Sequence, residues 1–458
     1  MIQFIFIFIL LLLINQCIFE LVIFPFKTIN TKYNVSYDFI SKLYSNELYT
    51  NLKLGNPEPR IIPTIISQEQ VAFSINDNFY QIKNSSYYNE STFPIPRSFV
   101  WENIEKGVQF KDMLFINSTN IPKNAKISEK QFLTKFIYVE NQTCNYIGLS
   151  FPDLYEHNVI SIFKTLKDNK LIDNYQWCPK INKKKGNKNR DWFNIDGELI
   201  IGGNYHDYLQ EQFLQKYITE FEMYSHGQYV EYNIKFSKLY VGDESDKNSL
   251  YNKQIYFGLD FLSIGSLEYE TTVANSFFND WIQKKVCYIE TMKSNASIHY
   301  FYCNINFDTE KKFDITLFPK LCMGDLNTSF CFDYKDLFVE DPNDKNIIYF
   351  LVGFMKFDPL NDYSKYFHFG LLFLTKYQLS FDPKNKKIYF FDVVENKNTQ
   401  KKELEGNKSN KLVLIIIIIV LCILLVSIGM LIQKKLTKFP RKIRANELND
   451  DDFLYEQK

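Results

Sequence analysis

Tyr377-Gln378-Leu379-Ser380-Phe381-Asp382-Pro383-Lys384-Asn385-Lys386-Lys387-Ile388-Tyr389-Phe390-Phe391 is the stretch that decides the fold class. Tyr377, Leu379 and Phe381 alternate with Gln378, Ser380 and Asp382, which is the two-residue period of a strand. Pro383 to Lys387 supplies turn residues, and Ile388 to Phe391 returns as a second strand. The same alternation recurs upstream. Val230, Tyr232, Ile234 and Phe236 interleave with Glu231, Asn233, Lys235 and Ser237, which predicts a half-buried strand. Helical periodicity is scarce. It is confined to Val159 to Leu166 and to Ser276 to Val286, where Phe277, Phe278 and Trp281 share one side. Residues 30–395 therefore read as all-β with a few short helices.

A chain of 458 residues is long enough for two or three domains with a large buried core. Lys+Arg and Asp+Glu are both 53, so the net charge is zero. That balance excludes a globally basic surface for nucleic acid. Glycine is scarce, at 16 residues, about half the usual share of roughly 7%. The deficit bears on function, because tight catalytic loops need glycine at particular places. Lys183 to Arg190 is a basic, polar insertion that reads as a solvated loop.

Two hydrophobic segments set the expected compartment. Phe4 to Ile14 is an apolar run of 11 residues, too short to span a bilayer, so residues 1–19 read as a secretory signal. Leu412 to Ile432 is 21 residues without a charge and reads as one membrane helix. Residues 396–411 form a polar stalk before it, and residues 433–458 a short, initially basic cytosolic tail. Asn-x-Ser/Thr acceptors at Asn34, Asn84, Asn89, Asn117, Asn141, Asn295, Asn327 and Asn407 all precede the membrane segment. Outside the two hydrophobic segments lie Cys144, Cys178, Cys287, Cys303, Cys322 and Cys331. An even number in an oxidising compartment points to three disulfides. Cys144–Cys178, Cys287–Cys303 and Cys322–Cys331 is the expected pairing, one of about fifteen arrangements that six cysteines allow.

Five segments, in order, carry a family resemblance. They are Tyr49 to Pro57 with its Gly55-Asn56-Pro57 corner; Tyr146-Ile147-Gly148-Leu149-Ser150-Phe151-Pro152; Asp196-Gly197-Glu198-Leu199-Ile200-Ile201-Gly202-Gly203; Tyr229 to Gly242; and Phe369 to Leu374 with Tyr377 to Phe391. Together they resemble the pepsin-like aspartic peptidases over nearly all of residues 45–395. The third and fifth segments are the specific ones. The resemblance implies two β-lobes, at residues 30–203 and 204–395, with a cleft between them and one loop from each lobe on its floor.

In that family each loop carries an Asp within Asp-Thr/Ser-Gly, and the two carboxylates share one proton, one acting as base on water and the other as acid. Counting from Gly55-Asn56-Pro57, the first Asp position falls on Ile66, followed by Ser67, Gln68 and Glu69. The second loop is Leu259-Asp260-Phe261-Leu262-Ser263. Asp260 is thus the one retained catalytic position, without the hydroxyl and the glycine that should follow it. Counting back from Gly107 and Asp112, the covering flap falls at Val100-Trp101, so Trp101 stands where the family has a tyrosine. Leu371 replaces the Asp after Gly370. No cofactor and no metal site is implied; the five His are isolated in sequence. The expectation is a type I membrane glycoprotein of the secretory system or cell surface, with a degenerate pepsin-like ectodomain that binds peptide or protein in its interlobe cleft and does not bind nucleic acid. An active aspartic endopeptidase is the alternative.

Overall fold

The structure, a computed structural model, describes residues 20–30, 39–44, 46–67, 73–75, 91–94, 106–120, 128–138, 145–149, 151–152, 161–182, 194–203, 215–222, 225–226, 229–230, 232–242, 249–259, 263–266, 270, 275–292, 298–306, 313–325, 328–355 and 366–393. The chain divides into one unit ending at Val393 and another from Val394 to Lys458, and all described residues belong to the first. The expected signal segment, stalk, membrane span and tail lie outside the described residues. Among the described residues no helix is long and apolar enough to cross a membrane.

The described chain is mostly strand. The first half contains β1 (Glu20–Asn30), β2 (Asn46–Leu54), β3 (Arg60–Ser67), β4 (Phe73–Ile75), β5 (Ser91–Pro94), β6 (Lys106–Asn120), β7 (Ser128–Tyr138), β8 (Tyr146–Gly148), β9 (Phe151–Pro152), β10 (Trp177–Ile181) and β11 (Asp196–Ile201). The second contains β12 (Gln215–Glu222), β13 (Ser225–His226), β14 (Tyr229–Val230), β15 (Asn233–Val241), β16 (Ser249–Phe257), β17 (Ser263–Ser266), β18 (Cys287–Thr291), β19 (Ile298–Asn304), β20 (Leu321–Asp325), β21 (Thr328–Phe332), β22 (Phe338–Glu340), β23 (Ile347–Phe350), β24 (Gly353–Met355), β25 (Tyr366–Phe369), β26 (Gln378–Asp382) and β27 (Lys387–Val393). Short helices interrupt them: α1 (Phe39–Tyr44), α2 (Ile162–Asp168), α3 (Asn275–Gln283), α4 (Tyr334–Leu337) and α5 (Leu371–Lys376). The first sheet strand begins at Glu20, ahead of residue 30, because β1 pairs with β2, β6 and β11.

Six adjacent strands, β12-β27-β26-β10-β11-β1, form one end of a 13-stranded sheet, here called the central sheet because it joins the two halves of the chain. They repeat one pattern twice. The hairpin β10–β11 carries β1 on its outer strand, and the hairpin β26–β27 carries β12 on its outer strand. The two hairpins meet at Trp177 opposite Phe381. Their rings stack with centroids 4.2 Å apart. Alternation alone would leave Gln378, Ser380 and Asp382 in water, yet all of β26 is buried. The Asp382 carboxylate is satisfied: Gln176 Nε2 donates to Oδ2 at 3.0 Å, Asn385 N to Oδ1 at 3.0 Å and Asn385 Nδ2 to Oδ2 at 2.7 Å. The strand predicted around Val230 to Phe236 is realised as β14 and β15. Tyr232, Ile234 and Phe236 are buried and Lys235 is exposed.

The scarcity of glycine shows in the helix ends. α3 closes with Val286 N donating to Trp281 O and Lys285 N to Ile282 O, both at 2.9 Å. α2 closes the same way, through Leu171 N to Leu166 O and Lys170 N to Lys167 O. This double bond leaves one residue in the left-handed region, where glycine is usual. Here lysines occupy it, with φ 59° at Lys285 and 57° at Lys170. A Cβ in that region is strained by roughly 1–2 kcal/mol, partly offset by the larger chain entropy that glycine loses on folding. Lys285→Gly and Lys170→Gly should therefore each raise stability by about 0.5–1 kcal/mol. Denaturant midpoints check this, with Lys→Ala as the control that should give no gain.

Two of the expected disulfides are present. Cys287–Cys303 joins directly opposite residues of β18 and β19, and Cys322–Cys331 those of β20 and β21. Cys178 is buried in β10 with its sulfur 3.9 Å from Gly203 O, while its expected partner Cys144 lies outside the described residues.

Candidate functional site

Two strand crossings, one in each half, mark the candidate site. β8 lies between β3 and β4, parallel to β3 and antiparallel to β4; β7 lies beyond β4 and parallel to it. In the second half β25 lies between β16 and β17, parallel to β16 and antiparallel to β17; β24 lies beyond β17 and parallel to it. In each half the loop leaving the first strand must therefore pass the end of an inserted strand. Residues 68–72 and 260–262, which follow these strands, lie outside the described residues.

The register fixes which residues correspond. Ile65, Ile66 and Ser67 stand beside Tyr146, Ile147 and Gly148, and Leu149 N donates to Ser67 O at 2.8 Å. Tyr256 and Phe257 stand beside His368 and Phe369, and Gly258 N donates to Phe369 O at 2.8 Å, ahead of Gly370. With Gly148 and Gly370 as the common points, Ile66 corresponds to Phe257 and Ser67 to Gly258. Ile66 and Phe257 are both fully buried in the core. Phe257 packs edge-on against Phe373 and Phe390, with centroids 4.9 and 5.7 Å away.

The strand pairing places Ile66 beside Ile147, whereas Asp260, the other expected position, lies outside the described residues. Three residues on from Ile66 and Phe257 come Glu69 and Asp260 respectively. Both lie outside the described residues, as do Gln68, Phe261, Leu262 and Trp101, the residue expected in the flap. Leu371, where the resemblance implied an Asp, begins α5 and is buried. Of the sequon asparagines, Asn117 is described and exposed on β6, whereas Asn34, Asn84, Asn89, Asn141, Asn295, Asn327 and Asn407 lie outside.

Residues that spacing did not single out tie the two crossings to the central sheet. Trp177 Nε1 donates to Tyr232 Oη at 3.2 Å, and Tyr232 Oη donates to Leu149 O, the residue that follows the first crossing. Burial pushes the Tyr232 phenol far up, so it stays a donor. Tyr232 O in turn accepts from Phe257 N at 3.0 Å, at the second crossing. One residue thus bonds both. Tyr232→Phe leaves an indole N–H and a carbonyl unpaired in the core, and should cost about 2 kcal/mol, read as a lower denaturant midpoint with an unchanged m-value. His368 is the second such residue. It lies in β25 between Phe367 and Phe369, with its ring 5.1 Å from that of Tyr256. Its ring nitrogens are enclosed, and burial lowers its pKa to about 4. A histidine inside an apolar run was the available signal.

Elsewhere, His299 Nδ1 lies 3.5 Å from Glu270 Oε2, a pair far apart in sequence. Compared with known proteins, the chain matches no family model and no curated protein sequence.

Proposed function

We propose that this chain is a membrane-anchored, glycosylated, pepsin-like protein of the secretory system or cell surface whose ectodomain binds peptide or protein without cleaving it. One observation carries the reading: the corresponding strand ends, Ile66-Ser67 and Phe257-Gly258, hold no carboxylate in either half. An acid dyad needs two close carboxylates so that one proton is shared. The twofold repeat of the central sheet and the paired crossings support the pepsin-like assignment. Hydrophobic segments at 1–19 and 412–432, the sequons and the two disulfides support the lumenal, anchored one. Trp101 is assigned to the wall of the cleft, where an indole face would pack against bound peptide.

Binding is tested by titrating a pool of unstructured peptides into the detergent-solubilised full chain by calorimetry. Saturable heat, with affinity reduced about tenfold or more in Trp101→Ala, is the expected result. No heat with any peptide would favour a surface protein with a closed groove. A second reading, an active aspartic endopeptidase, is favoured by a specific fact: Glu69 and Asp260 fall at the same count beyond the corresponding residues Ile66 and Phe257.

A further inference from the structure

From Lys111 to Asn117, β6 turns its odd-numbered side chains outward. Asp112, Leu114 and Ile116 are buried, while Lys111 and Asn117 are exposed and Met113 and Phe115 half-buried. The neighbouring strands extend this outer face. Phe115 stands opposite Lys53, which stands opposite Ile61; Met113 stands opposite Leu133, and Asn117 opposite Glu129. Ile61 and Leu133 are 70% and 40% exposed. The result is an outward face with four apolar side chains, bordered by one ion pair. Lys53 Nζ lies 3.0 Å from Glu129 Oε1 and 4.7 Å from the centroid of the Phe115 ring.

Asn117-Ser118-Thr119 is an acceptor triplet, and its asparagine shares this face with Phe115, two residues earlier on the same strand. Two residues of strand span about 7 Å, within reach of the first sugar of an N-linked chain. The apolar face of a pyranose packs on an aromatic ring, and its hydroxyl and acetamide groups need polar partners. Phe115 supplies the ring, and Glu129 and Lys53 supply an acceptor and a donor beside it. We propose that Asn117 is N-glycosylated and that its first N-acetylglucosamine lies over Phe115, so that the chain's own glycan covers the outer face of the first-half sheet. The inference rests on the lumenal reading above and commits to one of the eight acceptor sites. It assigns that glycan a structural role.

The test expresses the full chain in a eukaryotic secretory host and measures occupancy of each acceptor by mass spectrometry after enzymatic deglycosylation in heavy-oxygen water. Thermal unfolding is then compared for the wild type, Asn117→Gln, Phe115→Leu and the double variant, each with glycans trimmed to a single sugar. Occupied Asn117, with Asn117→Gln lowering Tm by about 2 °C when Phe115 is present and not when Leu replaces it, supports the proposal. The same shift in both backgrounds overturns it, because the sugar would then not rest on the ring. An unoccupied Asn117 beside occupied acceptors overturns it and leaves the lumenal reading standing. No occupied acceptor at all overturns both. Thr119→Ala, which removes the acceptor triplet and keeps Asn117, should reproduce the Asn117→Gln shift if either variant folds poorly.

Discussion

Gly197→Ala should abolish the folded state or cost at least about 4 kcal/mol, one of the largest effects expected of any single methyl added to this chain. Gly197 sits in β11 between β1 and β10, opposite Phe26 on one side and Ile181 on the other. A Cβ there would lie 2.5 Å from Phe26 Cζ and closer still to the carbonyl oxygen of Lys180. The phenyl ring is buried and has little space to retreat. The carbonyl belongs to the neighbouring strand and moves only if the β10–β11 ladder opens. That ladder carries Trp177 and half of the central repeat, so local relief is not available. Glu198→Ala is the matched control. It removes a partly exposed bridge to Lys180, 2.6 Å long, and should cost no more than about 1 kcal/mol. Secreted yield and urea midpoints of the two variants distinguish steric exclusion at 197 from general intolerance of this hairpin.

The second large effect is an acid-induced loss of stability through His368. Its pKa is about 4 in the folded chain against an ordinary 6.5. The unfolded chain therefore binds the proton first as pH falls. Stability is fully present above pH 6.5, declines from there toward pH 4, and is lost by roughly 3 kcal/mol below that, at about 1.4 kcal/mol per pH unit of separation. Urea midpoints at pH 7.5, 5.5 and 4 should fall in that order, and His368→Phe should flatten the decline. A slope unchanged in His368→Phe would place the acid sensitivity in the carboxylates instead. The location matters because β25 is the inserted strand of the second crossing. Protonation of His368 would loosen the strand that joins β16 to β17.

Much of the fold was legible because its signals are local. The hairpin from Tyr377 to Phe391 shows its alternation and its turn within fifteen residues, and it forms as read. The helix around Phe278 is amphipathic and closes where its apolar run ends. Two disulfides followed from nearby cysteines, each pair spanning one hairpin. What was not legible depends on strands distant in sequence. Burial of Gln378, Ser380 and Asp382 follows from β10 lying alongside β26, some 200 residues away. The bond from Tyr232 to Leu149 crosses between the halves in the same way. The candidate site was the least legible part. Of its expected residues Ile66 is described, beside the inserted strand β8, while Asp260 and Trp101 lie outside the described residues. Ile66 stands beside Ile147 and Phe257 beside Phe369, relations between distant strands that no spacing from Gly55 contains. The scarce glycines tell the same story from the other side: Gly197, Gly148 and Gly370 stay where strands approach closely or loops cross, while lysines serve at the helix ends.

The most direct test of the central claim is proteolysis. The purified full chain, incubated with a denatured protein substrate from pH 3 to pH 6, is expected to give no cleavage above a buffer control, and Asp260→Ala and Glu69→Gln should change nothing. Cleavage with an acid optimum that is blocked by a statine-type inhibitor and lost in Asp260→Ala would contradict the account, and its loss in Glu69→Gln as well would identify the working pair.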